Sequence, residues 1–120
     1  MEKLLLVQVD EAMGRQISRL ASNKKIRVIN IEKNDIEEGK PLGAYLGMDV
    51  DCQVAGQGLP PDKSLVVFAQ VTPKHFDKLL FEMRSKGLKV DYKAVLTPTN
   101  GGWDLTSLYE ELEKERKSFE

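Results

Sequence analysis

Lys93-Ala94-Val95-Leu96-Thr97-Pro98-Thr99-Asn100-Gly101-Gly102-Trp103 holds a strand, a sharp stop and a helix entry in one run. Residues 93–96 read as a short strand, because the apolar run Ala94-Val95-Leu96 ends at a proline that has no amide hydrogen to pair. Thr97 precedes that proline and is biased toward extended backbone, while Asn100-Gly101-Gly102 tolerates positive φ. Asp104 then caps a helix, and Trp103 just before the cap packs on Leu108 as a hydrophobic staple. A strand leading through a tight loop into a capped helix is the mark of an α/β chain.

The same grammar recurs outward from this junction. Residues 65–69, Leu65-Val66-Val67-Phe68-Ala69, read as a buried strand. Thr72 caps the next helix, with Pro73 in its first turn, Val71 and Phe76 as the staple, Leu79, Leu80 and Met83 facing inward, and Gly87 as the stop. In the N-terminal half, residues 3–9 form a strand around Leu4-Leu5-Leu6-Val7. Asp10 caps a helix whose inward stripe is Met13, Ile17, Leu20 and Ala21, ended by Asn23, and residues 26–31 form a β-branched strand. Gly14 weakens that helix by about 1 kcal/mol relative to alanine and is expected to allow close approach to the sheet. Arg15 and Arg19, one turn apart, read as a solvated face. Residues 41–48 form a short helix through Leu42, Tyr45 and Leu46. Residues 49–63, with Gly56, Gly58, Pro60 and Pro61, read as a flexible connection.

Two βαβα halves therefore stand in series, residues 1–48 and 64–120, in a single domain. The expected architecture is a three-layer α/β sandwich around a four-stranded, mainly parallel sheet ordered 2-1-3-4, with a ferredoxin-like split βαβ arrangement as the alternative. In a parallel sheet, the loops at Asp10 and Thr72 flank the topological switch point, with the Thr97 loop beside them. The terminal helix turns Leu105, Leu108, Tyr109 and Leu112 inward, and its charged end from Glu113 onward is expected to fray.

Composition narrows the function classes. The 120 residues include 18 basic and 19 acidic side chains, a net charge of −1. This lacks the basic excess of a nucleic-acid or membrane-surface binder, so neither partner is expected. The single cysteine, Cys52, offers no disulfide, CxxC pair or thiolate metal cage, and points to a reducing cytoplasm. Its neighbour Asp51 disfavours a thiolate. The single histidine, His75, reads as an exposed side chain with no second ligand one turn on, and the carboxylates of the last helix face water. No catalytic residue, metal or cofactor is assigned on these grounds.

The run 93–103 followed by Leu105-Thr106-Ser107-Leu108-Tyr109-Glu110-Glu111-Leu112 resembles a family of small bacterial proteins known as a domain of unknown function. Its signature is a Lys-Ala-Val-Leu-Thr-Pro-Thr-Asn-x-x-Trp segment and a Leu-x-x-Glu-Leu helix. The resemblance covers about residues 65 to 118 and extends loosely to the first half, where residues 43–47 fit part of a Leu-Gly-x-x-Leu-Gly-like segment. It carries no activity.

Turn chemistry, a cap and a packing anchor account for the 97–103 loop on their own. The functional reading places Lys93, Thr97, Thr99, Asn100 and Trp103 around a site for a small anionic or polar ligand, or for a protein partner. No phosphate-loop spacing occurs there. Two alternatives compete: an enzyme that uses Lys93 or a threonine hydroxyl, for which no partnering base is visible, and a structural protein that self-associates through a sheet edge or the terminal helix.

Overall fold

Each apolar run becomes a strand, and each capped stripe a helix, in the computed structural model, which describes residues 1–118. Strands β1 (Lys3–Val7), β2 (Arg27–Ile31), β3 (Leu65–Ala69) and β4 (Tyr92–Val95) form one sheet. They alternate with helices α1 (Glu11–Ser22), α2 (Leu42–Tyr45), α3 (Pro73–Ser85) and α4 (Leu105–Ser118). The caps work as the sequence implies. The Asp10 carboxylate accepts from the Ala12 and Met13 amides, and the Thr72 hydroxyl from the His75 amide.

The sheet order is β2-β1-β3-β4, as expected, but the sheet is mixed. The outer pairs β1/β2 and β3/β4 are parallel, whereas the central pair β1/β3 is antiparallel, with Leu5 opposite Val67. The reason lies in the connection. Residues 32–41 carry the chain to the far end of the sheet, where the Leu42 amide donates to the Trp103 carbonyl and Lys3 Nζ to the Leu46 carbonyl. Residues 49–63 then climb back beside α4. The Gln53 amide meets the Gly102 carbonyl at 2.6 Å, Thr106 Oγ1 donates to the Gly58 carbonyl, and Gln8 Nε2 donates to the carbonyls of Pro61 and Lys63. The chain thus enters β3 beside the end of β1, and the strand must run the other way. As a consequence, Asp10 and Thr72 lie at opposite ends of the sheet and flank no common switch point.

Alternation of strand side chains divides the core. Leu5, Val7, Leu65, Val67 and Ala94 meet α2 and α4 on one face, through Leu42, Tyr45, Leu105, Leu108 and Tyr109. Leu4, Leu6, Val66 and Phe68 meet α1 and α3 on the other, through Ile17, Leu20, Leu79 and Met83. Helices on both faces exclude the ferredoxin-like alternative. Lys24, just past α1, pairs with Glu82 on α3. The charged end of α4 holds its helix to Ser118, because Arg116 stacks 4.8 Å from the Tyr92 ring and donates to the Asp91 carbonyl. No helix among the described residues is long and apolar enough to cross a membrane.

The two halves repeat more closely than topology alone requires. Gln8 and Gln70, each just after a central strand, both take positive φ, at 55° and 57°. Lys25 and Gly87, each just past a helix, do so at 60° and 67°. Gln70 follows Gln8, and Gly87 follows Lys25, by the same 62 residues. Both left-handed turns are thus inherited by each half, the second of them ending the helix. The same interval sets Gly14 against Phe76.

Gly14 does not serve close packing. A Cβ built on it would meet Asn30 Oδ1 at 3.7 Å and Leu6 Cδ1 at 4.0 Å, ordinary contact distances. Gly14→Ala is therefore expected to raise stability by about 0.5–1 kcal/mol through helix propensity. Urea unfolding checks this, and a loss of stability would show that the backbone there needs glycine.

Candidate functional site

At the end of β4 the chain turns through a single 3-10 turn, Asn100–Gly102, into α4. The Thr97 amide donates to Asn100 Oδ1 at 2.8 Å, the Asn100 amide donates to Thr97 Oγ1 at 3.0 Å, and Asn100 Nδ2 donates to the Val95 carbonyl at 3.0 Å. Asn100 therefore closes the loop and ends the strand. Its side chain and the Thr97 hydroxyl are already engaged in this turn.

Asp104 acts beyond its expected role as a cap. Its Oδ1 accepts from the Ser107 amide at 2.9 Å and from the Gly56 amide at 3.1 Å, and its own amide donates to the Val54 carbonyl. One buried carboxylate thus starts α4 and anchors the connection between the halves. Trp103 is half-buried and packs on the cluster that contains Leu108, as the staple requires.

All five residues singled out from sequence, Lys93, Thr97, Thr99, Asn100 and Trp103, line one cleft of about 400 Å³. The cleft follows the outer edge of β4. Lys93 pairs with Val66 and Val95 with Phe68, so Lys93 and Val95 lie on the α1/α3 face of the sheet. Ala94, Trp103, Leu108 and Leu112 belong to the opposite face. Phe68 and Phe76 also line the cleft, and Val95 is 51% exposed within it. The Tyr92 amide donates to the Ser64 carbonyl and the Leu96 amide to the Phe68 carbonyl, both at 2.9 Å. Alternation along a parallel strand then directs the N–H and C=O groups of Lys93 and Val95 away from β3. Asn100 covers the Val95 carbonyl. Among the described residues, nothing bonds the Lys93 N–H and C=O or the Val95 N–H along the edge.

Sequence reading missed Val95, which looks like one more buried residue in an apolar run. Only the edge position of β4 exposes it. His75 is likewise more than an exposed side chain: its Nδ1 lies 2.7 Å from Glu2 Oε2, and that carboxylate also accepts from the Thr72 amide at 3.0 Å. The Thr72 amide first, and His75 second, hold the Glu2 carboxyl below its ordinary 4.5 despite some desolvation. The folded chain then binds fewer protons than the unfolded chain between the two values. The stabilisation is present above the ordinary value and is lost as pH falls through the lowered one. Glu2→Gln should flatten this part of the acid limb, read as melting temperature from neutral to about pH 3. An unchanged limb would assign the acid sensitivity to other carboxylates.

The half of the chain that carries this cleft is also the half that a domain-family model matches. A DUF3783 domain of unknown function is found at residues 64–119. No curated protein and no solved structure matches the chain. The DUF3783 segment begins at β3 and contains α3, β4, the Thr97 loop and α4. It thus supplies every residue that lines the cleft, while the first half supplies β1, against which β3 is laid.

Proposed function

We propose that the protein is a non-catalytic binding module that takes an extended segment of a partner protein along the outer edge of β4. The observation that carries this reading is an edge strand with outward backbone groups beside the exposed Val95 side chain, in a cleft walled by Phe76, Trp103 and Leu112. Strand addition uses main-chain hydrogen bonds for affinity and alternate side-chain pockets for specificity, and this cleft offers both. The loop favours a peptide over a small anion. Its Thr97 hydroxyl and Asn100 amide are engaged internally, and the other polar residues that line the cleft are Lys93 and Thr99 together with the acidic Glu111 and Glu115, which disfavour an anion. The same arrangement disfavours a threonine nucleophile, since Thr97 Oγ1 accepts from an amide and has no base bonded to it.

Selection of random linear peptides on the immobilised protein, followed by binding to Val95→Pro, tests the proposal. The Val95 amide points away from β3, so proline there removes no ladder bond and is tolerated on an edge strand. Binders should carry alternating apolar residues and should lose about tenfold or more in affinity to V95P, the equivalent of one main-chain hydrogen bond and its geometry. The melting temperature should stay close to that of the wild type. Peptides that bind V95P equally well would place the site elsewhere, and failure to select any binder would remove the reading. A dimer that V95P abolishes would make a second copy of this chain the partner.

A further inference from the structure

A second cleft, of about 550 Å³, lies over α1 at the opposite end of the sheet. Its floor is apolar, made by Leu6 and Val9, and its rim carries Ser18, Arg19 and Asn30. The internal repeat shows what this space is in the other half. Leu6 corresponds to Phe68, and Gly14 to Phe76, by the 62-residue interval. Asn30 corresponds to Val95, because Asn30 pairs with Leu6 as Val95 pairs with Phe68. In the second half the Phe76 ring fills the position and meets Phe68 edge-on, with centroids 4.8 Å apart. In the first half, glycine leaves it open, although a Cβ would fit without strain.

The charges around the opening are unequal in availability. Asp10 is engaged by the Ala12 and Met13 amides, and Glu11 pairs with Arg15 at 2.9 Å. Among the described residues no side chain pairs with Arg19, and none bonds the Ser18 hydroxyl or the Asn30 amide. Glu32 stands at the rim beyond β2, whereas Arg19 lies five residues past Gly14 along α1, more than a helical turn away.

We propose that this cleft is a ligand site for a planar aromatic ring bearing a carboxylate or phosphate. The ring takes the place over Gly14 that Phe76 takes in the second half, the Asn30 amide meets its edge, and the anionic group reaches Arg19 and Ser18. This site is independent of the β4 edge and stands or falls without it.

Titration with benzoate and nicotinate, followed by amide ¹H–¹⁵N spectra, tests the proposal on the full chain. Acetate serves as the acid without a ring, and benzyl alcohol as the ring without a charge. Saturable shifts at Gly14, Ser18 and Asn30 are expected with the aromatic acids, and weaker binding with either control. Gly14→Phe should fill the cleft and abolish the shifts. Arg19→Gln, an exposed change that leaves the core untouched, should weaken binding about tenfold by removing one charge-assisted hydrogen bond. Absence of saturable shifts, acetate binding as well as benzoate, unchanged affinity in R19Q, or persistence in a folded G14F would each overturn the assignment.

Discussion

Tyr109→Ala is expected to lower the unfolding free energy by about 3–5 kcal/mol, the range for removing a large aromatic side chain from a core. Tyr109 is 2% exposed and stands where the halves meet. Its ring packs edge-on to Tyr92 at 5.8 Å, its hydroxyl donates to the Lys63 carbonyl at 2.6 Å, and it accepts from Gln8 Nε2 at 3.3 Å. Gln8 lies just after β1, Lys63 just before β3, and Tyr109 on α4, so one side chain secures the entry to the antiparallel central pair. Tyr109→Phe keeps the ring and should cost about 1–2 kcal/mol, because the Lys63 carbonyl and the Gln8 amide lose a partner. Burial, opposed by the Gln8 hydrogen bond, pushes the Tyr109 hydroxyl up to about 12. The folded chain keeps this proton when the unfolded chain loses it, so the contribution is full below the ordinary value of 10 and disappears as pH rises through 12. Urea unfolding of both variants separates ring from hydroxyl. Equal costs for Ala and Phe would place the whole effect in the hydroxyl network.

The second large effect is expected at Asp104. Asp104→Ala removes a helix cap and leaves the Ser107 and Gly56 amides without their acceptor, for a cost of about 2–4 kcal/mol. The residue is 2% exposed, so water does not readily replace the lost oxygen. Asp104→Asn preserves an acceptor oxygen in the same place and should recover most of that loss. The neighbouring Trp103 makes the difference visible, because release of the Gly56 segment should expose the indole further and shift its emission to the red. A cost for D104A near that of a surface cap, about 1 kcal/mol, would mean that the connection is held by its other bonds.

Local chemistry was legible because it is written in local residues. Asp10, Thr72 and Asp104 cap the helices that follow them in sequence, and Gly87 takes the left-handed turn expected past α3. Strand order followed from two similar units in series. Strand direction did not, because residues 49–63 contain no periodic signal for a second passage along the sheet. That passage is held by scattered partners such as Gln53 with Gly102 and Thr106 with Gly58. The left-handed glutamines were hidden for another reason: Gln8 and Gln70 are not residues that announce positive φ. Lys93, Thr97, Thr99, Asn100 and Trp103, grouped from the sequence, line one cleft. The sequence could not show that Thr97 and Asn100 bond each other, since the same hydroxyl and amide serve a turn or a ligand equally well.

Backbone amide exchange at Lys93 and Val95, followed with and without a selected peptide, tests the proposed edge pairing most directly. Both amides face outward in the free protein and should exchange faster than those of Tyr92 and Ala94, which face β3. Bound peptide should slow Lys93 and Val95 selectively if a strand is added to β4. Saturable binding that leaves both amides unprotected would contradict strand addition and turn the β4 edge into a surface with no part in recognition.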